Sequence, residues 1–284
     1  KILRIIFFFL LTVFFVYHGI GLGFRWFISG HAPWSNGYEA IIFIAWVTMI
    51  FGFVFSRKNA VIIAGTAILA SLMIFVTEMN LLDPEITPLV PVLKSYWLMI
   101  HVAIITGSYG PLGLAAILGL INLLLYIFRT QKNGKMISIH ISELTYVSEM
   151  AMTIGVFMLT IGTFLGGVWA NESWGRYWAW DPKETWAMVS VLVYAVILHF
   201  RFIPKLNGKF VFNAAALWGY SAILFTFFGV NFMLVGLHSY AQGEGLGEFP
   251  NWLIVLIISF LIFTIFSGIR YKAYKKLNKE KIVE

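Results

Sequence analysis

Apolar residues in this chain run continuously over stretches near the ~20 residues that cross a bilayer, and short clusters of charge, Gly and Pro break the runs. Eight stretches stand out: Ile2–Leu22, Tyr38–Phe55, Ala60–Met79, Tyr96–Phe128, Tyr146–Val168, Glu184–Phe202, Val211–Leu237 and Trp252–Ile269. In hydrocarbon each backbone amide has to be satisfied within its own segment, so each run predicts a membrane-spanning α-helix. The expected architecture is an all-α polytopic membrane protein of about eight transmembrane helices. Residues 1–284 form one integral-membrane domain, since neither an internal repeat nor a long linker divides them.

Composition sharpens this. The 284 residues are 60% hydrophobic and 12% charged, against roughly 25% charged in an ordinary soluble domain. Disorder, collagen and secreted disulfide scaffolds are excluded together. With no Cys, the chain has no disulfide, Cys-ligated zinc, iron–sulfur cluster or thiol nucleophile of its own. Any sulfur chemistry must use a partner's thiols.

The net charge of +7 raises nucleic acid until the cations are placed. Sixteen of the 20 fall at alternate connections and the termini: Lys1 and Arg4; Arg57 and Lys58; Arg129, Lys132 and Lys135; Arg201, Lys205 and Lys209; and six from Arg270 to Lys281. The other side has Arg25, Lys94, Arg176 and Lys183. The positive-inside rule puts both termini in the cytoplasm and the cation-poor loops outside. A lipid bilayer therefore accounts for the charge without any nucleic acid. The first span is too long for a cleaved signal, with no small-residue cleavage site before Gly30-His31-Ala32-Pro33. Lys at position 1 is consistent with a trimmed chain or the later part of a longer one.

Four loops face outward: Gly23–Gly37, Asn80–Ser95, Trp169–Lys183 and His238–Asn251. The last contains Gly243, Gly245 and Gly247, but with no strand before it the pattern says nothing about dinucleotides. The segment 167–186, between spans five and six, holds five of the eleven tryptophans, Trp169, Trp174, Trp178, Trp180 and Trp186. Two readings stand. It is an interfacial aromatic belt, or, with Asn171, Arg176 and Tyr177, a platform for a large flat apolar ligand carrying charged groups. Asp181-Pro182-Lys183-Glu184 reads as a helix start, with N-cap, Pro at N1 and an acidic N3, so Asp181 is a cap rather than a catalytic acid.

Of six histidines, two draw attention by height. Spans four and seven exceed the ~20 residues that a bilayer needs. Counted outward from Phe128 and Val211, His101 and His238 each lie about 12 Å beyond the bilayer edge at 1.5 Å per residue, level with the tryptophans. Paired neutral imidazoles beside an aromatic platform suit axial ligation of haem iron. Zinc is the rival, but it prefers three or four tetrahedral ligands. His199, near the inner end of span six, is an intramembrane ionisable group and so a functional candidate, with no second ligand at its depth in this chain. His18 and His31 are secondary outer candidates, and His140 falls in a cytoplasmic loop.

The run WGRYWAWDPKETW resembles the signature of haem-handling membrane proteins with a tryptophan-rich WWD domain. RWFISGHAPWSNGYEA at 25–40, PLVPVLKSYWLMIHV at 89–103, Leu198-His199 and GLHSYA at 236–241 narrow the resemblance to cytochrome c biogenesis proteins of the CcsA/ResC type, over nearly the whole chain. The resemblance implies that His101 and His238 ligate haem b, both ligand and substrate, at the outer face. It implies that His199 receives haem within the membrane, opposite a ligand from a CcsB/ResB-type subunit or fused N-terminal half. The function implied is haem export across a bacterial inner membrane and covalent attachment to the Cys-x-x-Cys-His of apocytochrome c, a haem-lyase type of synthase. Trp169, Trp174, Trp178 and Trp180 would hold the macrocycle; Asn171 and Arg176 are candidate propionate partners because they lie among these tryptophans, with a lipid headgroup the alternative for Arg176. Alternatives are a protein that loads a periplasmic haem chaperone, a b-type electron-transfer subunit, and a proton-coupled transporter, for which Glu149 and Glu78 near span ends are thin support.

Overall fold

The computed structural model describes residues 2–56, 59–79, 82–86, 94–238 and 251–283. Arg57 and Lys58, the 87–93 part of the second outer loop, and the 239–250 loop with its three glycines lie outside the described residues. The elements are α1 (Ile2–Ser29), α2 (Gly37–Phe55), α3 (Ala60–Thr77), α4 (Tyr96–Phe128), α5 (Gly134–Trp174), α6 (Pro182–His199), α7 (Lys209–Leu224), α8 (Val230–Met233) and α9 (Asn251–Val283). Among the described residues there is no strand. A π-helical turn, Phe225–Gly229, joins α7 to α8, so that eight helical runs are long and apolar enough to span a membrane.

Helix α4 is the hub, packing against α2, α3, α5, α7 and α9. Its contacts are tight where glycine removes a side chain. A Cβ on Gly119 would lie 2.6 Å from the Asn213 carbonyl, and one on Gly155 of α5 would lie 2.6 Å from Leu112. Lipid offers no hydrophobic drive to association, so such close backbone approach and buried polar contacts hold membrane helices together. The polar contacts here join three helices. Asn122 of α4 donates to Asn213 of α7 at 2.6 Å, and both side chains donate to Thr145 of α5. Around that layer lies a core that includes Leu112, Leu118, Leu144, Leu159 and Tyr194. Helices α1 and α9 are different, with only 6% of each span window buried. Their outward Phe, Ile and Leu side chains would be a liability in water and are well solvated by acyl chains.

Three expected boundaries are corrected. α5 runs for 41 residues instead of Tyr146–Val168. Hydropathy detects what lipid requires, and at 41 residues α5 is twice the ~20 that cross a bilayer. Ile137, Ile141 and Leu144 recur on one buried face near its N-terminus, which places His140 on a helix rather than in a loop. At its outer end Trp169 is buried, and Gly175 closes the helix at φ 72°, donating to the Asn171 carbonyl. Trp169, Asn171 and Trp174 are therefore helical, and the tryptophan-rich connection proper is 175–181. α1 continues to Ser29, where Gly30 at φ 70° ends it. The seventh run ends at Met233, not Leu237, so His238 sits in a turn and a helical rise cannot set its height.

Candidate functional site

The first turns of α4, the last turns of α5, and the start of α6 with the extended return after α8 meet at one end of the bundle. His101 projects from α4 and is 5% exposed. Its Nδ1 lies 2.8 Å from the Trp97 carbonyl oxygen. A carbonyl only accepts, so Nδ1 carries the proton and Nε2 keeps the lone pair. His238 follows the same rule through another partner, its Nδ1 lying 2.7 Å from Asp181 Oδ2. In both residues the distal nitrogen is left as a metal-binding atom, oriented by a bond at the proximal one.

Trp169 joins the two rings. Its centroid is 5.3 Å from that of His101 at an interplanar angle of 28°, and 5.4 Å from that of His238 at 52°. The two imidazoles are therefore no further apart than these distances laid end to end. Trp174 lies edge-on to His238 at 5.1 Å and to Trp169 at 4.8 Å. The Trp169 indole N–H is buried without a hydrogen-bond partner, the kind of unpaired polar group that protein interiors rarely keep.

An open cleft with about 1220 Å³ of empty space, its mouth included, is lined by both histidines, Trp169 and Trp178. Tyr177, Lys183 and Phe227 complete its rim, and Trp34 closes it from the segment before α2. Trp34 is fixed there by its indole N–H, which donates to the Met99 carbonyl at 3.0 Å. The π-helical turn places Thr226 and Phe227 on the cleft wall, and Thr226 is anchored to Ser190 and to the Trp186 carbonyl. π-turns of this kind cluster at functional sites.

Asp181 is the residue on which the arrangement turns. It caps α6 through a capping box with Glu184, as the sequence predicts. It also receives the Leu237 N–H at 2.5 Å and the His238 Nδ1–H. Burial pushes its carboxyl pKa up, but the hydrogen bond and charge interaction with His238, together with the Lys183 and Leu237 N–H groups, outweigh burial and hold it below the ordinary carboxylate value. Asp181 is thus ionised when it orients His238.

The remaining predicted residues divide. Trp169 and Trp178 line the cleft, and Trp174 packs on His238 outside that lining. Trp180 is 70% exposed at φ 58° and edge-on to Trp178 at 5.7 Å. Asn171 and Arg176 are not among the cleft-lining residues, and Arg176 is exposed. Trp186 packs against Phe225 at 4.1 Å. His199 stands apart at the end of α6, exposed, with Nδ1 2.7 Å from the Ala195 carbonyl, so that its Nε2 is also a free lone pair. Glu149 forms an ion pair with Arg201, which gives it a structural partner between α5 and the end of α6. Sequence reasoning missed Trp34, the Asp181–His238 bond and the place of Lys183. The first lay in a quoted run and the third among the four outer cations, so both were visible as residues and not as neighbours.

Among the described residues no group of three His, Asp or Glu converges as a metal cage. Two imidazoles with free Nε2 atoms in an aromatic cleft suit a flat metal macrocycle, which needs two axial ligands. The class is therefore a multi-pass helical membrane protein with a paired-imidazole cleft. The chain belongs to the cytochrome C assembly protein family, whose profile matches residues 34–238, and its role lies in cytochrome c assembly. It is 45% identical to Protein NrfI of Wolinella succinogenes over 243 residues, covering 86% of this chain and 27% of that protein. It is 35% identical to cytochrome c biogenesis protein CcsA of Guillardia theta over 242 residues, covering 77% and 80%. Cytochrome c biogenesis protein CcsA of Prochlorococcus marinus strain MIT 9301 is 36% identical over 245 residues, covering 76% and 78%.

Proposed function

We propose that this protein takes haem b from within a bacterial inner membrane and presents it at the outer face for covalent attachment to apocytochrome c. It acts with a CcsB/ResB-type subunit or a fused N-terminal half. The observation that carries this reading is the pairing of His101 and His238 about Trp169, each with Nδ1–H committed to a protein acceptor and Nε2 free. Imidazoles held in this way are oriented, and in the neutral form each offers Nε2 to iron.

The chemistry at the vinyl groups belongs to the substrates. Each Cys S–H of the Cys-x-x-Cys-His segment adds across a haem vinyl group: a carbon–sulfur bond forms, the thiol hydrogen goes to the other vinyl carbon, and no net oxidation occurs. This chain's contribution is to hold the macrocycle and its edge where that addition happens, replacing a bimolecular search by proximity. With no Cys among its 284 residues, this chain offers no thiol to compete for the vinyl groups. The histidine of the apocytochrome then displaces one axial ligand and lets the product leave. His199, with its free Nε2 near the inner end of α6, is the intramembrane station, completed by a ligand from the partner half.

Purified protein reconstituted with haemin tests the reading. A low-spin bis-histidine absorption spectrum is expected, converted to a different ligation state by His101→Ala or His238→Ala. An unchanged spectrum in the double variant refutes the assignment.

A further inference from the structure

The cleft contains a charge that the fold does not need. Lys183 lines it at the second position of α6, one residue after Pro182. Three physical terms oppose a Lys there. The first turn of a helix presents unsatisfied N–H groups and a partial positive charge, so a cation is disfavoured at that end. The residue is half-buried, and removing an ammonium from water costs free energy unless a counter-charge is supplied. The nearby carboxylates bond other donors: Asp181 takes Leu237 N–H, His238 and the Lys183 backbone N–H and reaches the ammonium only as a neighbouring negative charge, while one oxygen of Glu184 takes the backbone N–H groups of Ala179 and Asp181. Among the described residues the Lys183 ammonium is left without a hydrogen bond or close ion pair. A half-buried ammonium that breaks local rules and has no hydrogen-bonded counter-ion marks a place where a counterpart from outside the chain can bind.

What the cleft is built to take supplies that counterpart. Its walls are largely aromatic and apolar, and among the described residues that line it Lys183 is the one Lys or Arg, with the Glu184 side chain next to it. Arg176, the other cation of the tryptophan-rich connection, is outside the lining and exposed. Resting on the haem reading above, we infer that the Lys183 ammonium binds a carboxylate of the bound porphyrin, a propionate, and so fixes which edge of the macrocycle faces inward and which is offered to the incoming peptide. An ammonium–carboxylate pair in a partly dehydrated cleft is a charge-assisted bond, stronger than a neutral one.

The test is a titration of the purified protein with haemin and with haemin dimethyl ester, whose propionates carry no charge, followed by absorbance. Wild type is expected to favour the free acid over the ester by about tenfold more than Lys183→Met does, and Lys183→Arg is expected to keep the wild-type preference. Comparing ratios removes the greater partition of the ester into detergent. If haemin gives the low-spin bis-histidine spectrum in both proteins but Lys183→Met keeps the wild-type ratio, the propionate assignment is overturned and the haem site stands. Should Lys183→Met fail to fold, equal affinity of wild type for acid and ester overturns it just as well. Absence of any low-spin species in wild type brings down the haem reading and this inference with it.

Discussion

The Asp181 carboxylate holds His238 Nδ1 at 2.7 Å with one oxygen and the Leu237 N–H at 2.5 Å with the other. The residue that starts α6 therefore also pins the segment after α8, 57 positions further along the chain. One side chain links helix capping to the orientation of a candidate iron ligand. The tautomer that frees Nε2 follows from the same bond.

That linkage predicts different outcomes for two substitutions. Asn is as good an N-cap as Asp, but its amide has only one acceptor oxygen, so either Leu237 N–H or His238 Nδ1–H loses its partner. Asp181→Asn is expected to keep α6 and to weaken haemin binding by roughly 10- to 100-fold, the usual cost of losing a group that orients a metal ligand. Asp181→Ala is expected to lose about 1 kcal/mol of stability in addition, as the cap goes too. Haemin titration beside thermal unfolding separates the two effects; unaltered affinity in Asp181→Asn would show that His238 does not depend on the carboxylate.

Trp180 is the sole non-glycine residue with positive φ among the described residues, at 58°. A bulky side chain in that region costs about 1–3 kcal/mol, and with its ring 70% exposed little burial offsets the strain. Trp180→Gly is expected to raise the unfolding midpoint, and, on the haem reading, in which the exposed ring meets the macrocycle edge or its acceptor, to lower haemin retention. A lowered midpoint would mean that no strain is relieved.

The Asn122–Asn213–Thr145 layer predicts non-additivity. Replacing either Asn by Ala leaves the other amide buried with a missing partner, at about 1–3 kcal/mol. The double replacement removes both members and is expected to cost less than the sum, with a coupling on the order of 1 kcal/mol. Strict additivity in a double-mutant unfolding cycle would mean that the two side chains act independently.

The membrane class was legible from hydropathy because lipid imposes its demand on consecutive residues: a span has to be apolar along its whole length. Span four was read as Tyr96–Phe128 and is the same helix in the structure. The ends of α5 were not legible, since Ile137, Ile141 and Leu144 are buried by protein rather than lipid, and a polar helix past the bilayer edge carries no hydropathy signal. His238 shows the same limit from the other side, because its apolar run continues to Leu237 while the helix stops at Met233.

The sequence by itself determined the solvent, the number of spans, the candidate residue types and the cap at Asp181, all of which depend on neighbours a few positions apart. Tertiary structure alone decided that Trp169 stands beside both His101 and His238, that Asp181 orients one of them, and that the Lys183 side chain lines a cleft without a hydrogen bond or close ion pair among the described residues. Those relationships join residues separated by tens of positions. They are set by how α4, α5 and α6 pack and by where the chain turns after α8, a geometry that no local pattern encodes.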